Sequence, residues 1–191
     1  VVDGVQLPMK NGDVVLTPGW TWHSHFNHGA GNAYWIDFLD VPLVHRLEPM
    51  FFEPHPEQFQ QTEQTPETSE LRFSLQDQQA RLDAAAEIAP GCRRANLPAP
   101  SLRTIQLDVY QLDAGATLPA RRSTANRIYA VVQGEGSFQF DDQRFDCRRG
   151  DVIAAPIWSL HRFVAASACR LLDVSDEPVH RLLGFYRESS A

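Results

Sequence analysis

Apolar and polar positions in this chain change over in short runs, not at a sustained helical period. Val14-Val15-Leu16 and Val152-Ile153-Ala154 are brief apolar stretches, each opened by a Gly-Asp pair and followed by a proline. That pattern predicts short buried strands bounded by turns. Residues 33–39 (AYWIDFL) and 170–174 (RLLDV) predict the strands that come next, and longer strand-rich stretches cover 102–115 and 126–140. Asp-Gly and Asp-Asp pairs supply turn signals. Residues 54–70 are rich in Gln, Glu, Pro and Thr, the composition of a solvated linker. Residues 75–88 hold helix formers with a modest apolar stripe and predict one short helix, whereas 89–101 read as irregular chain. Many short strands with turn punctuation predict an all-β antiparallel sandwich or barrel.

The chain also matches itself. Asp3 aligns with Asp141, Gly12-Asp13 with Gly150-Asp151, and Pro18, Trp20 and His23 with Pro156, Trp158 and His161, all at one spacing. After a small deletion, DVPLVHRL (40–47) aligns with DEPVHRL (176–182). One match could be chance, but an ordered set implies a duplicated unit. A strand-rich run precedes the match in the second copy and has no counterpart before the first, which opens at Val1 without a methionine. The expected organisation is therefore the trailing half of a first barrel over 1–53, a linker with a short helix over 54–100, and a second barrel over 101–191. Half a barrel would leave unpaired strands. The front of the first unit is thus expected to lie outside these 191 residues.

Composition narrows the function classes. Asp and Glu number 24 against 17 Lys and Arg, a net charge of -7, which argues against a nucleic-acid surface. No apolar run approaches the roughly 18 residues of a membrane helix, and no basic-then-apolar leader opens the chain. Three cysteines without CxxC spacing predict reduced thiols and a cytoplasmic protein, not a disulfide framework or zinc site.

The candidate chemistry lies in residues 12–27, GDVVLTPGWTWHSHFN. His23 and His25 are two apart and so share a face of an extended strand. A neutral imidazole projecting into a small barrel can hold a transition metal, provided at least three protein ligands meet and one position stays open. Two histidines beside aromatics are more often buried hydrogen-bonding groups. Trp20, Trp22, Trp35 and Phe26 read as core or, alternatively, as an apolar wall for an aromatic substrate.

The Gly-Pro-His-Asn spacing of this segment resembles the second cupin motif, with Trp20 where a glycine is usual. The longer string VVDGVQLPMKNGDVVLTPGWTWHSHFN, followed by AYWIDFLDVPLVHRLEPMFFEPHPE, and the late run LLDVSDEPVHRLLGFYRE resemble the gentisate 1,2-dioxygenases and their salicylate and hydroxynaphthoate relatives. The resemblance implies a bicupin of double-stranded β-helix barrels, the first of them incomplete here. It implies Fe(II) held by three histidines in the intact first cupin, with His23 as the third ligand. His25 would be a neighbouring histidine that contacts substrate, and Asp37 an acid lining the pocket. The first two ligands and a nearby arginine would precede Val1, so this chain by itself is expected to lack iron and to be inactive. In the second copy the family's His-Arg-His becomes Arg121-Arg122-Ser123, leaving His161 alone. That predicts a metal-free structural barrel, or else one that binds a small anion through Arg121 or Arg122. The implied activity is extradiol-type cleavage of gentisate or a related hydroxybenzoate by O2, in a homo-oligomer with no nucleic-acid or membrane partner. The alternative is a degenerate, non-catalytic cupin module. His45 and His180, matched in the HRL strings, read as surface or interface residues.

Overall fold

A computed structural model describes residues 1–190. They fall into two units, one of residues 1–73 and one that begins at Ser74.

The second unit is built from two antiparallel sheets. The first contains β3 (Glu87–Ala89), β4 (Cys92–Leu97), β5 (Gln106–Leu112), β7 (Arg127–Gln133), β10 (Val152–Ala155) and β12 (Cys169–Ser175), in the order β10-β7-β12-β5-β4-β3. The second contains β6 (Thr117–Ser123), β8 (Glu135–Phe140), β9 (Gln143–Arg148), β11 (His161–Ala165) and β13 (Glu188–Ser190), in the order β13-β6-β11-β8-β9. Among the described residues no ladder joins the two sheets, so the expected barrel is an open sandwich. Its inner faces pack Tyr110, Leu112, Val131 and Leu171 of the first sheet against Leu118, Phe138 and Phe163 of the second. β12 is buried along its whole length because it lies between β5 and β7. That continuous burial explains why its sequence lacks strict alternation.

The helix expected over 75–88 forms as α2 (Leu75–Ala84), and it opens with a capping box. Ser74 Oγ accepts from the Asp77 amide at 3.1 Å, and the Asp77 carboxylate accepts from the Ser74 amide at 2.9 Å. It buries Gln78 and Leu82, one turn apart, and Gln79 donates to Gln111 of β5.

Two expectations fail. Residues 89–101 are not irregular, since β4 pairs with β5 throughout. Its charged Arg93-Arg94 pair hides the strand pattern, because Arg94 turns to the buried Asp108 at 2.7 Å. Residues 33–39 form no strand, and all but Phe38 are exposed. An extended run becomes a strand only when a neighbour takes its backbone groups.

The first unit has little regular structure: β1 (Val14–Val15) paired antiparallel with β2 (Arg72–Phe73), and helix α1 (Val41–Leu47). Asp13 secures the entry to β1 through an ion pair with Arg72 at 3.0 Å.

The duplication is visible in the backbone. Asp3 and Asp141 take φ of 48° and 47°, Trp20 and Trp158 take 66° and 60°, and Gly12 and Gly150 take 83° and 94°. Left-handed φ is uncommon for Asp and exceptional for Trp, so the paired values mark one inherited turn scheme. The HRL strings form α1 and its counterpart α3 (Glu177–Leu182), each preceded by an Asp N-cap at φ -88° and opened by a proline in the first turn. No described helix is long and apolar enough to cross a membrane.

Gly136 tests the packing between the sheets. A Cβ there would strike the Phe163 ring and the Val164 carbonyl across the β8–β11 ladder. Gly136→Ala is expected to cost about 1–3 kcal/mol in urea unfolding.

Candidate functional site

The turn after β1 delivers the histidines of the first unit. Thr21 Oγ1 donates to the Pro18 carbonyl at 2.6 Å, and Trp20 supplies the left-handed residue between them. His23 then bridges Val2, with the Asp3 amide donating to the Trp22 carbonyl at 2.9 Å. The second unit repeats this arrangement. His161 pairs with Phe140, and the Asp141 amide donates to the Leu160 carbonyl at 3.2 Å. His23 therefore occupies the strand position of His161, whose side chain is buried inside the sandwich.

In the first unit that face is open. His23, His25 and Asp37 are all exposed. The structure brings His23 and His25 together, with ring centroids 5.8 Å apart, and stacks His25 on Trp35 at 4.8 Å and 17°. Trp22 meets His55 edge-on at 4.5 Å and donates to the Glu53 carbonyl. Trp20 and Phe51 also touch at 4.9 Å. His55 and Phe51 were not singled out from the sequence, because they fall in a stretch without periodicity. The aromatics expected as core, Trp20, Trp22, Phe26 and Trp35, are all exposed, Trp20 most of them at 76%. Among the described residues no three His, Cys, Asp or Glu side chains converge as metal ligands. Two imidazoles do not make the three-ligand site that iron requires, so the donors present do not fit a complete metal centre.

The matching position of the second unit holds a different constellation. His161 Nδ1 lies 2.9 Å from the Ser159 carbonyl and can only donate to it, so Nε2 accepts from the Tyr129 hydroxyl at 3.0 Å. Burial holds that phenol well above its ordinary pKa, keeping it a donor. Both ring nitrogens of His161 are thus engaged. Arg121 faces His161 across the β6–β11 ladder. Desolvation, reinforced by Arg121 and Arg127, lowers the His161 pKa and keeps the ring neutral.

Beside it Arg127 is fully buried. It pairs with Asp173 at 2.7 Å and with Glu177, which also takes Arg181 at 2.7 Å. Burial pushes the Asp173 carboxyl up to about 6, opposed by Arg127 and reinforced by Asp108. Arg127 and Asp173 were missed in the sequence, where they sit inside strand-forming runs with nothing to mark them as partners 46 residues apart. Of the HRL histidines, His45 is exposed, while His180 is half-buried and lies 3.5 Å from Asp176. A cleft of about 510 Å3 lies on the outer side of β8 and β9, lined by Glu135, Arg144, Asp146 and Arg148. None of the predicted site residues borders it.

Two outcomes test this cluster. Arg127→Met strands a buried carboxylate and is expected to cost about 3–5 kcal/mol in urea unfolding at neutral pH. The penalty should shrink on acidification, because the stranded Asp173 then takes up a proton. His161 contributes with the opposite sense. Its folded pKa lies below the ordinary 6.5, so stability falls as the pH drops through and below that value, where the unfolded chain binds a proton that the buried ring refuses. His161→Gln should remove that share of the acid sensitivity, read from urea midpoints at about pH 7 and about pH 5.

Comparison with known proteins agrees with this architecture. Residues 108–175 match the Cupin domain family. A 5-aminosalicylate 1,2-dioxygenase from Comamonas is 30% identical over 99% of this chain and 59% of its own length. A gentisate 1,2-dioxygenase from Streptomyces is 29% identical over 98% of the chain and 63% of its own length. A 1-hydroxy-2-naphthoate 1,2-dioxygenase from Nocardioides is 29% identical over the whole chain and 57% of its own length. The chain thus spans about 60% of the curated relatives it matches. The solved salicylate 1,2-dioxygenase of Pseudaminobacter salicylatoxidans shares the fold, with a TM-score of 0.83 at 22% identity over 95% of this chain and 62% of that one. With its duplicated backbone and a Cupin domain match over residues 108–175, the chain resembles the gentisate, 5-aminosalicylate and 1-hydroxy-2-naphthoate 1,2-dioxygenases along its whole length.

Proposed function

We propose that the polypeptide carrying this chain is an Fe(II)-dependent dioxygenase that opens the ring of gentisate or a related hydroxybenzoate with O2. In this reading residues 1–53 are the trailing half of the iron-bearing cupin, and the second cupin, expected at 101–191, also takes in the 74–100 part of the expected linker as α2, β3 and β4. His23 is one iron ligand, and its companions lie outside these 191 residues. The observation that carries the reading is the shared backbone position of His23 and His161, since the second unit turns that side chain inward.

Bound iron would supply the redox chemistry, coupling the substrate to oxygen. The chain's own residues would orient and shield. Stacking on Trp35 fixes the plane of His25, which suits it to hold or move a proton at the substrate's polar groups. Asp37 is its acidic counterpart at the pocket wall. Trp20, Trp22 and Phe51 offer ring faces against which an aromatic acid can be held and water excluded.

The second cupin is metal-free in this reading. Support comes from the two engaged nitrogens of His161 and from the cationic Arg121 set opposite it. The family forms homo-oligomers, and the exposed aromatics of the first unit suit burial against further protein.

The test uses the native polypeptide that contains this chain. Iron content and oxygen uptake are measured with gentisate, salicylate and 1-hydroxy-2-naphthoate, before and after His23→Ala. Stoichiometric iron and turnover should both be lost in the variant. Iron and turnover retained by His23→Ala would reject the assignment, and a native polypeptide inert to all three acids would favour a non-catalytic module.

A further inference from the structure

The inner faces of the second unit divide into an apolar end, around Phe138, Phe163 and Leu171, and a polar end. At the polar end stand His161, Tyr129, Arg127, Asp173 and, on β6, Arg121. Arg121 is nine-tenths buried, yet it is not fully used. One terminal nitrogen meets Glu188 Oε1 at 2.9 Å, while its buried Nε–H has no hydrogen-bond partner among the described residues. A carboxylate that fits a guanidinium well takes two parallel N–H donors at once. Glu188 takes one, and its other oxygen accepts from the Tyr186 hydroxyl at 2.8 Å.

We propose that this polar end is a binding site for a small monocarboxylate, which Glu188 occupies in cis. The carboxylate of Glu188 is carried on β13, a three-residue strand that, among the described residues, pairs with β6 alone and lies at the sheet edge. Glu188 stands opposite Ser123 in the strand register and its second oxygen is held by Tyr186, so as placed its carboxylate does not span the fork of Arg121. A free carboxylate has no such tether and can take both Nε–H and a terminal N–H. The surroundings select for an anion. Arg127 is already taken by Asp173 and Glu177, so the positive charge left for a ligand is that of Arg121, and the neutral His161 presents no free nitrogen to a metal. Phe140, with its ring 5.5 Å from that of His161, adds an apolar flank that favours an aromatic acid over an aliphatic one. Occupation of the site displaces Glu188, and short edge strands open at low free-energy cost. Ligand binding is thereby coupled to release of β13 from β6.

The site makes no use of iron or of turnover, so it stands or falls separately from the dioxygenase reading. The experiment titrates the chain with benzoate and with acetate by calorimetry, alongside Glu188→Gln and Arg121→Gln. Amide exchange at Ser189 and Arg122 is followed on addition of benzoate. Benzoate should bind more tightly than acetate. Glu188→Gln should tighten benzoate at least about threefold by removing the internal competitor. Arg121→Gln should abolish binding, and benzoate should speed exchange along β13. Equal binding by Arg121→Gln, or no tightening in Glu188→Gln, would overturn the proposal. So would exchange along β13 that benzoate leaves unchanged. Should Arg121→Gln fail to fold by circular dichroism, the Glu188→Gln titration and the exchange measurement decide the matter alone.

Discussion

A guanidinium cannot be taken out of water without partners, and that constraint organises the second unit. Arg127 is buried completely, and its partners come from two other elements: Asp173 in the middle of β12 and Glu177 in the first turn of α3. The pairing joins β7 to the central strand of its sheet and holds α3 against the end of the sandwich. Arg94 and Asp108 repeat the device one strand away. Such pairs add little net stability over an apolar filling, but they permit few alternatives. The first fixes β7, β12 and α3 against one another, and the second fixes β4 against β5.

The same charges decide what the interior can bind. With Arg121 and Arg127 beside it, His161 stays neutral, and its lone pair is spent on Tyr129. The position that would offer a metal ligand has become part of a hydrogen-bonded wall. The first unit keeps the backbone of this arrangement and changes its side chains. His23 sits where His161 sits, with His25 one strand step further and Trp35 stacked upon it. The duplicated turns at Asp3 and Asp141, and at Trp20 and Trp158, show one backbone scheme carrying two sets of side chains.

Much of this was legible in residue order. The Gly-Asp turns, the apolar runs and the repeated His positions are local signals, and local backbone preference is strong enough to survive in a single sequence. They were sufficient for the all-β class, the duplication, α2 and the family resemblance. The register of His23 against Val2 also follows from the repeat, once its partner strand is known. Less legible were segments whose state depends on a neighbour. Residues 33–39 have strand composition but no partner strand, and β4 looked irregular because Arg93 and Arg94 interrupt its alternation.

Residue order alone implies that short strands and tight turns form, and that two related units carry histidines at equivalent places. Those features depend on φ preferences and on alternation within a few residues. It took the packing of strands in three dimensions to bring Arg127 to Asp173, Tyr129 to the His161 nitrogen, and Glu188 to Arg121. These pairings join residues 46, 32 and 67 positions apart (188 less 121 for the last). The charge of each residue is written in the chain. Its partner depends on which strands lie side by side, because a buried charge is stable only where folding brings the opposite one.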